Sequence, residues 1–235
     1  MCDLKSIWPN QLAPNSFSKL KRIIFEDCEG FDYVFPISVA KKLRQLQSLD
    51  MKRCVIKNIV EESDSSDMTN IYLAQLSVDS CDNMNTIVQP SVLFQNLDEL
   101  VVSDCHGVVN IITPSRAESL PKLRILSIGS CNKLEEIYGS KNENDAPLRE
   151  IYFMKLEGLL LVGLPRLTSF CRGNYNFYFQ SLRMVQLNAC SMMETFCHGK
   201  LTTPRLKKVL YEWGSKELWD DDLNTTTRTI FTKRY

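Results

Sequence analysis

Histidine is almost missing from this chain of 235 residues: only His106 and His198 occur, each directly after a cysteine. A Cys–His catalytic pair needs adjacency in space, and neighbours on a strand or turn point different ways, so neither pair predicts a nucleophile. The sequence also lacks G-x-x-x-x-G-K-[ST], H-E-x-x-H and G-x-S-x-G. That removes the phosphate loop, the zinc-protease helix and the nucleophile elbow. Net charge is missing as well, because 28 basic and 28 acidic residues cancel. A neutral balance leaves no electrostatic footprint for nucleic acid or an anionic membrane. No apolar run approaches the roughly 18 residues of a membrane span, and the amino-terminal stretch holds no signal-peptide core. These absences predict a cytoplasmic chain that is not an enzyme and carries no cofactor or metal.

What the chain has is a repeated phrase, Leu-x-x-Leu-x-Leu-x-x-Cys, with other apolar residues at the variable places. It runs Leu20, Ile23, Phe25, Cys28; Leu46, Leu49, Met51, Cys54; Leu73, Leu76, Val78, Cys81; Leu97, Leu100, Val102, Cys105; and Leu123, Leu126, Ile128, Cys131. Leu182, Val185, Leu187 and Cys190 repeat it, Leu156, Leu159, Leu161 and Leu164 give it with Leu in the Cys place, and Leu206, Val209 and Tyr211 begin an incomplete copy. Such a period matches leucine-rich repeats, in which each repeat contributes one strand to a curved solenoid. The predicted fold is therefore an α/β repeat solenoid, a leucine-rich-repeat horseshoe. One short parallel strand per repeat lines the concave face, with irregular or short helical segments on the convex face.

From Cys28 to Cys190 the closing positions are 26, 27, 24, 26, 33 and 26 residues apart. The enlarged coil holds a polar excursion at Gly139 to Pro147, and an acidic run at Glu61 to Asn70 interrupts the third phrase; both read as surface loops. Apolar pairs after each phrase, such as Val108 with Ile111 and Leu167 with Phe170, anchor the far side of the coil. The expected organisation is a partial repeat over 1–16, a solenoid of about eight repeats over 17–213, and a carboxy-terminal cap or tail over 214–235. Leu4 and Ile7 look like the tail pair of a coil whose strand is absent. The chain is thus expected to be a piece of a longer protein or a truncated gene product, because an uncovered first coil is costly.

Six of the nine cysteines occupy one slot of the phrase. That predicts a ladder of buried thiols satisfying carbonyls at the strand ends, rather than disulfides or a metal site. Cys2, Cys171 and Cys197 fall outside the ladder and are expected to be exposed. Asn224-Thr225-Thr226 fits the glycosylation triplet, which such sequences often match by chance.

Residues between the inward leucines point outward, so the strands display a row of side chains. Its early part presents Arg22, Asp50, Lys52 and Arg53, and its later part Ile125, Leu160, Val162, Met184 and Leu210. Apolar residues exposed together on a concave face mark a partner site, and these nine are the candidate partner-binding residues.

The cysteine-closed phrase, the opening LKSIWPNQLAPNSFSKLKRI, FQNLDELVVSDC, LPKLRILSIGSCNKLEEIY and the ending TPRLKKV with its Trp and LNTT resemble plant disease-resistance proteins. They are similar to the carboxy-terminal repeats of the intracellular coiled-coil, nucleotide-binding class. The resemblance implies a recognition module of an innate immune receptor in the cytoplasm. Such repeats sense a pathogen effector or a modified host protein and restrain a nucleotide-binding switch domain. ATP or ADP would belong only to that domain, which is absent here. Two alternatives stay open, a stand-alone scaffold and a substrate adaptor for ubiquitin ligation, the latter needing an F-box ahead of the repeats.

Overall fold

The computed structural model describes residues 8, 17–62, 68–113, 120–139 and 149–232. In chain order the elements are β1 (Arg22–Glu26), β2 (Tyr33–Phe35), α1 (Ile37–Ala40), β3 (Ser48–Lys52), β4 (Asn58–Val60), β5 (Thr69–Asn70), β6 (Gln75–Asp79), β7 (Val92–Leu93) and β8 (Glu99–Ser103). They continue with β9 (Ile125–Gly129), β10 (Arg149–Tyr152), β11 (Gly158–Val162), β12 (Tyr175–Tyr178), β13 (Met184–Asn188), β14 (Leu201–Thr202), β15 (Val209–Tyr211), β16 (Lys216–Leu218) and α2 (Leu223–Thr232).

Each copy of the phrase becomes one strand of a single long sheet, in the order β1-β3-β6-β8-β9-β11-β13-β15-β16. All neighbours are parallel except the terminal pair, in which β16 runs antiparallel to β15. Register follows the phrase: Leu49, Leu76, Leu100, Leu126, Leu159 and Val185 stand side by side, each on the same place of the next strand. All six are buried. A slip by one residue would turn this whole apolar row toward water, so the repeat itself fixes the pairing.

The opposite side of the coil is more extended than the sequence suggested. Among the described residues α1 is the only helix before the carboxy-terminal end, and the rest is short parallel ladders, β10-β12-β14, β2-β4 and β5-β7. Coil after coil, apolar side chains from this side meet those of the long sheet in one core. In the enlarged coil the space between the two sides is filled by aromatic rings: Phe153, Phe170, Phe177, Phe179 and Phe196 stack or meet edge to face at 4.9–6.2 Å. Residues 140–148 of the enlarged coil and 63–67 of the acidic run lie outside the described residues, as does the partial repeat over 1–16 apart from Trp8. Trp8 packs 5.6 Å from Phe35 and donates its indole N–H to the Val34 carbonyl, shielding one side of the first coil.

Each strand ends in the same way. The residue before the closing position has a positive φ of 50–64° in seven successive coils: Asp27, Arg53, Ser80, Asp104, Ser130, Gly163 and Ala189. In the first six its amide donates to the last carbonyl of the next strand, as in Arg53 to Asp79 at 2.9 Å and Ser130 to Val162 at 2.9 Å. The left-handed turn swings the chain off the sheet without leaving that donor unpaired. The cysteine that follows then donates its thiol to the carbonyl two residues back, at 3.2–3.4 Å for Cys28, Cys54, Cys81, Cys105, Cys131 and Cys190. The thiol ladder is therefore a hydrogen-bonding device at the strand ends, and none of its members is in a disulfide.

Cys171 and Cys197 depart from expectation. Both are buried, on the far side of the coil, where they face one another as a parallel bridge. Their sequence position outside the phrase had suggested exposure, but the coil has a second inward row that also accepts small apolar groups. Burial pushes the Cys171 thiol up to about 12 and the Cys197 thiol up to about 11. Cys2 lies outside the described residues.

The carboxy-terminal end of the stack is closed by β16 and α2. In the body of the solenoid the amide of Phe170 reaches the Phe196 carbonyl of the next coil. Beyond Phe196 there is no such coil, and the side-chain oxygen of Asn224 accepts instead from the amides of Phe196 at 3.0 Å and Cys197 at 2.9 Å and from the Thr195 hydroxyl at 3.1 Å. Asp222 caps α2 by accepting from the Thr225 amide at 2.8 Å. The Thr226 hydroxyl is buried between Asp220 and Asp222. The triplet that resembles a glycosylation signal is thus a docking device.

Candidate protein-recognition surface

The outward positions of the long sheet form three columns. The first runs Arg22, Ser48, Gln75, Glu99, Ile125, Gly158, Met184, and the middle one Ile24, Asp50, Ser77, Val101, Ser127, Leu160, Gln186, Leu210. The third runs Glu26, Lys52, Asp79, Ser103, Gly129, Val162, Asn188.

At the early end the charges pair among themselves. Arg22 meets Asp50 at 2.9 Å, and Ser48 also donates to Asp50. Lys52 stands exposed beside Glu26. Arg53 is not on the strand face but on the left-handed turn just beyond it, where its guanidinium holds Asp27 at 2.6 Å and Glu26 at 2.9 Å. That hydrogen bond keeps the Asp27 carboxyl below its ordinary range. Between these charges stands Ile24, 59% exposed. It belonged to the outward row but not to the candidate set, and its column position was the signal that could have found it.

The later end is apolar. Ile125 and Met184 flank the buried Gly158 on the two neighbouring strands, Leu160 follows two residues on along its own strand, and Val162 closes that strand. A Cβ there would lie 3.0 Å from Ile125 Cδ1, 3.3 Å from Met184 Cε and 3.9 Å from Leu160 Cδ1, so the three side chains lean over the glycine. Ile125, Leu160 and Val162 are half-buried and Met184 is exposed. Leu210 lies in the Leu160 column, with Gln186 between them. Asn188, at the foot of its column, is buried because the hairpin turn folds back and the Trp213 amide donates to its side-chain oxygen at 2.7 Å. Three strand spacings, about 15 Å, separate β3 from β9. The nine candidate residues are therefore two patches, not one site.

Among the described residues no cluster of three or more His, Cys, Asp or Glu is placed to hold a metal ion. No helix among them is long and apolar enough to cross a membrane.

A stacked parallel sheet with an ordered core and an open, side-chain-bearing face defines a leucine-rich-repeat solenoid, a class of module that typically mediates protein interactions. The family described as plant disease resistance protein RPS2-like, leucine-rich repeats, matches residues 1–55 and 88–201, and the chain belongs to it. Residues 56–87, which include the acidic run, lie outside that match. No curated protein and no solved structure matches the chain.

Proposed function

We propose that the chain is a non-catalytic recognition module of a plant innate immune receptor, acting in the cytoplasm. The apolar cluster that Ile125, Leu160 and Met184 form over Gly158, with Val162 at the end of the same strand, is the observation that carries the reading. It offers desolvated contact at the centre and polar side chains, Gln186 and Ser127, beside it, the usual anatomy of a protein interface. Leu210 extends this contact, and Arg22, Asp50, Lys52 and Arg53 form a separate charged region that sets orientation. The partners are the nucleotide-binding switch domain in the resting state and a pathogen effector or modified host protein in the triggered state. Competition for one face shifts the population between the two states. Nucleotide, ATP or ADP, belongs to the switch domain and not to the repeats. Family membership supports this reading above a stand-alone scaffold or a ubiquitin-ligase adaptor.

Restraint is the property to test. Added to an isolated nucleotide-binding domain of the same family, the wild-type chain is expected to slow nucleotide exchange, and the Leu160→Glu, Met184→Glu variant to leave it unchanged. Equal slowing by both would place the restraining contact elsewhere.

A further inference from the structure

A second feature lies away from the apolar cluster over Gly158, on the rim where the strands begin. A shallow recess of about 530 Å³ is lined by residues that precede β1, β3, β6, β8 and β9, among them Lys21, Arg44, Tyr72, Asn96 and Lys122. Three cations point to it and no carboxylate lines it. Among the described residues neither Lys21 nor Arg44 has an ion-pair partner, and Lys122 is held by the neutral Asn96 oxygen at 2.8 Å. Asp98, two residues beyond Asn96, is engaged by Arg124 at 2.6 Å. In a chain of zero net charge, a groove with three uncompensated cations is a local departure that favours an anionic ligand.

We propose that this rim groove binds an extended, acidic peptide segment of a partner protein. Its shape selects the ligand class. The groove is open, not enclosed, and reaches from the coil of β1 to that of β9, four strand spacings or about 19 Å. A compact anion would not reach from Lys21 to Lys122, whereas an extended segment of about six residues spans all three cations. Tyr72 gives its stem apolar contact, and Asn96 and Gln47 offer polar groups to its backbone. The site is independent of the apolar cluster over Gly158, so the two stand or fall separately.

The test uses the full chain and a fluorescein-labelled glutamate-rich peptide of about ten residues, followed by fluorescence anisotropy. Wild-type protein is expected to bind, with affinity falling as salt is raised. The Lys21→Glu, Arg44→Glu, Lys122→Glu variant is expected to weaken binding at least about tenfold, with an unchanged circular dichroism spectrum and melting temperature. Leu160→Glu with Met184→Glu leaves the peptide affinity intact. Three results overturn the proposal: no binding by the wild type up to about 1 mM peptide, unchanged affinity in the charge-reversed variant, or displacement of the peptide by inorganic phosphate as effective as that by unlabelled peptide, which would reduce the groove to a simple anion site.

Discussion

Ile125 and Met184 sit two strands apart, yet their side-chain tips converge over the single hydrogen of Gly158, at 3.0 Å and 3.3 Å from where a Cβ would stand. The atoms that a new methyl would meet are the free ends of flexible side chains. Gly158→Ala is therefore expected to cost less than about 1 kcal/mol of stability, with the tips shifting to admit the methyl. Gly107 provides the contrast, since its Cβ would fall 1.7 Å from the backbone oxygen of Asp82. Gly107→Ala is expected to lower the denaturant midpoint by several times as much. Equal costs at the two positions would mean that the outward side chains are packed as rigidly as the coil backbone.

Ala189 occupies the left-handed turn with φ of 50° and is exposed. A non-glycine residue there carries a penalty of roughly 1–2 kcal/mol. Glycine relieves it, at a smaller entropic cost in the unfolded chain. Ala189→Gly is expected to raise stability by about 1 kcal/mol in urea unfolding with an unchanged slope. A loss of stability would show that the Ala189 methyl makes contacts that outweigh the strain.

Asn224→Ala removes the acceptor for the amides of Phe196 and Cys197 at the end of the stack. Leaving partly buried donors unpaired costs about 1–3 kcal/mol, and the expected loss falls in that range, with faster amide exchange at 196 and 197. Asn224→Asp keeps an oxygen at that place and is expected to lose less. Identical losses would assign the effect to α2 packing and not to the hydrogen bonds.

Alkaline sensitivity follows from the buried thiols. Burial pushes Cys105 up to about 12 and Cys131 up to about 11, from an ordinary 9.0. In the unfolded chain these thiols ionise near the ordinary value while the folded chain keeps its protons, so the folded state loses ground as pH rises. Stability contributed by this difference is complete below about pH 9 and is lost on the way to 11–12. The melting temperature should fall over that window, and Cys131→Ala should flatten the fall relative to its own value at neutral pH. A thiol-reactive dye should label Cys171 and Cys197 only after denaturation, because both are buried.

The repeat spacing made the long sheet legible, since a strand whose inward residues recur in every coil has one register that buries them all. Leu49, Leu76 and Leu100 stand side by side for that reason. The far side of the coil was less legible: pairs such as Val108 with Ile111 anchor a turn and an extended segment equally well, and only the neighbouring coils select the ladder form. Cys171 was misjudged on the same account, because its environment depends on stacking and not on its own phrase. On the open face of the sheet the outward columns followed from alternation, whereas the apolar cluster over Gly158 did not, since it depends on Gly158 lying between Ile125 and Met184 on different strands. The rim groove left no mark in the sequence either, because Lys21, Arg44 and Lys122 are far apart along the chain and balanced in the total charge.

The central claim is that the open face of the sheet around Gly158 is the recognition surface. Its most direct test is the dissociation constant between this chain and a nucleotide-binding domain of the same family, measured for wild type and for Leu160→Glu with Met184→Glu. A loss of at least about tenfold, with the melting temperature unchanged, is the predicted result. Full affinity in a folded double variant would contradict it.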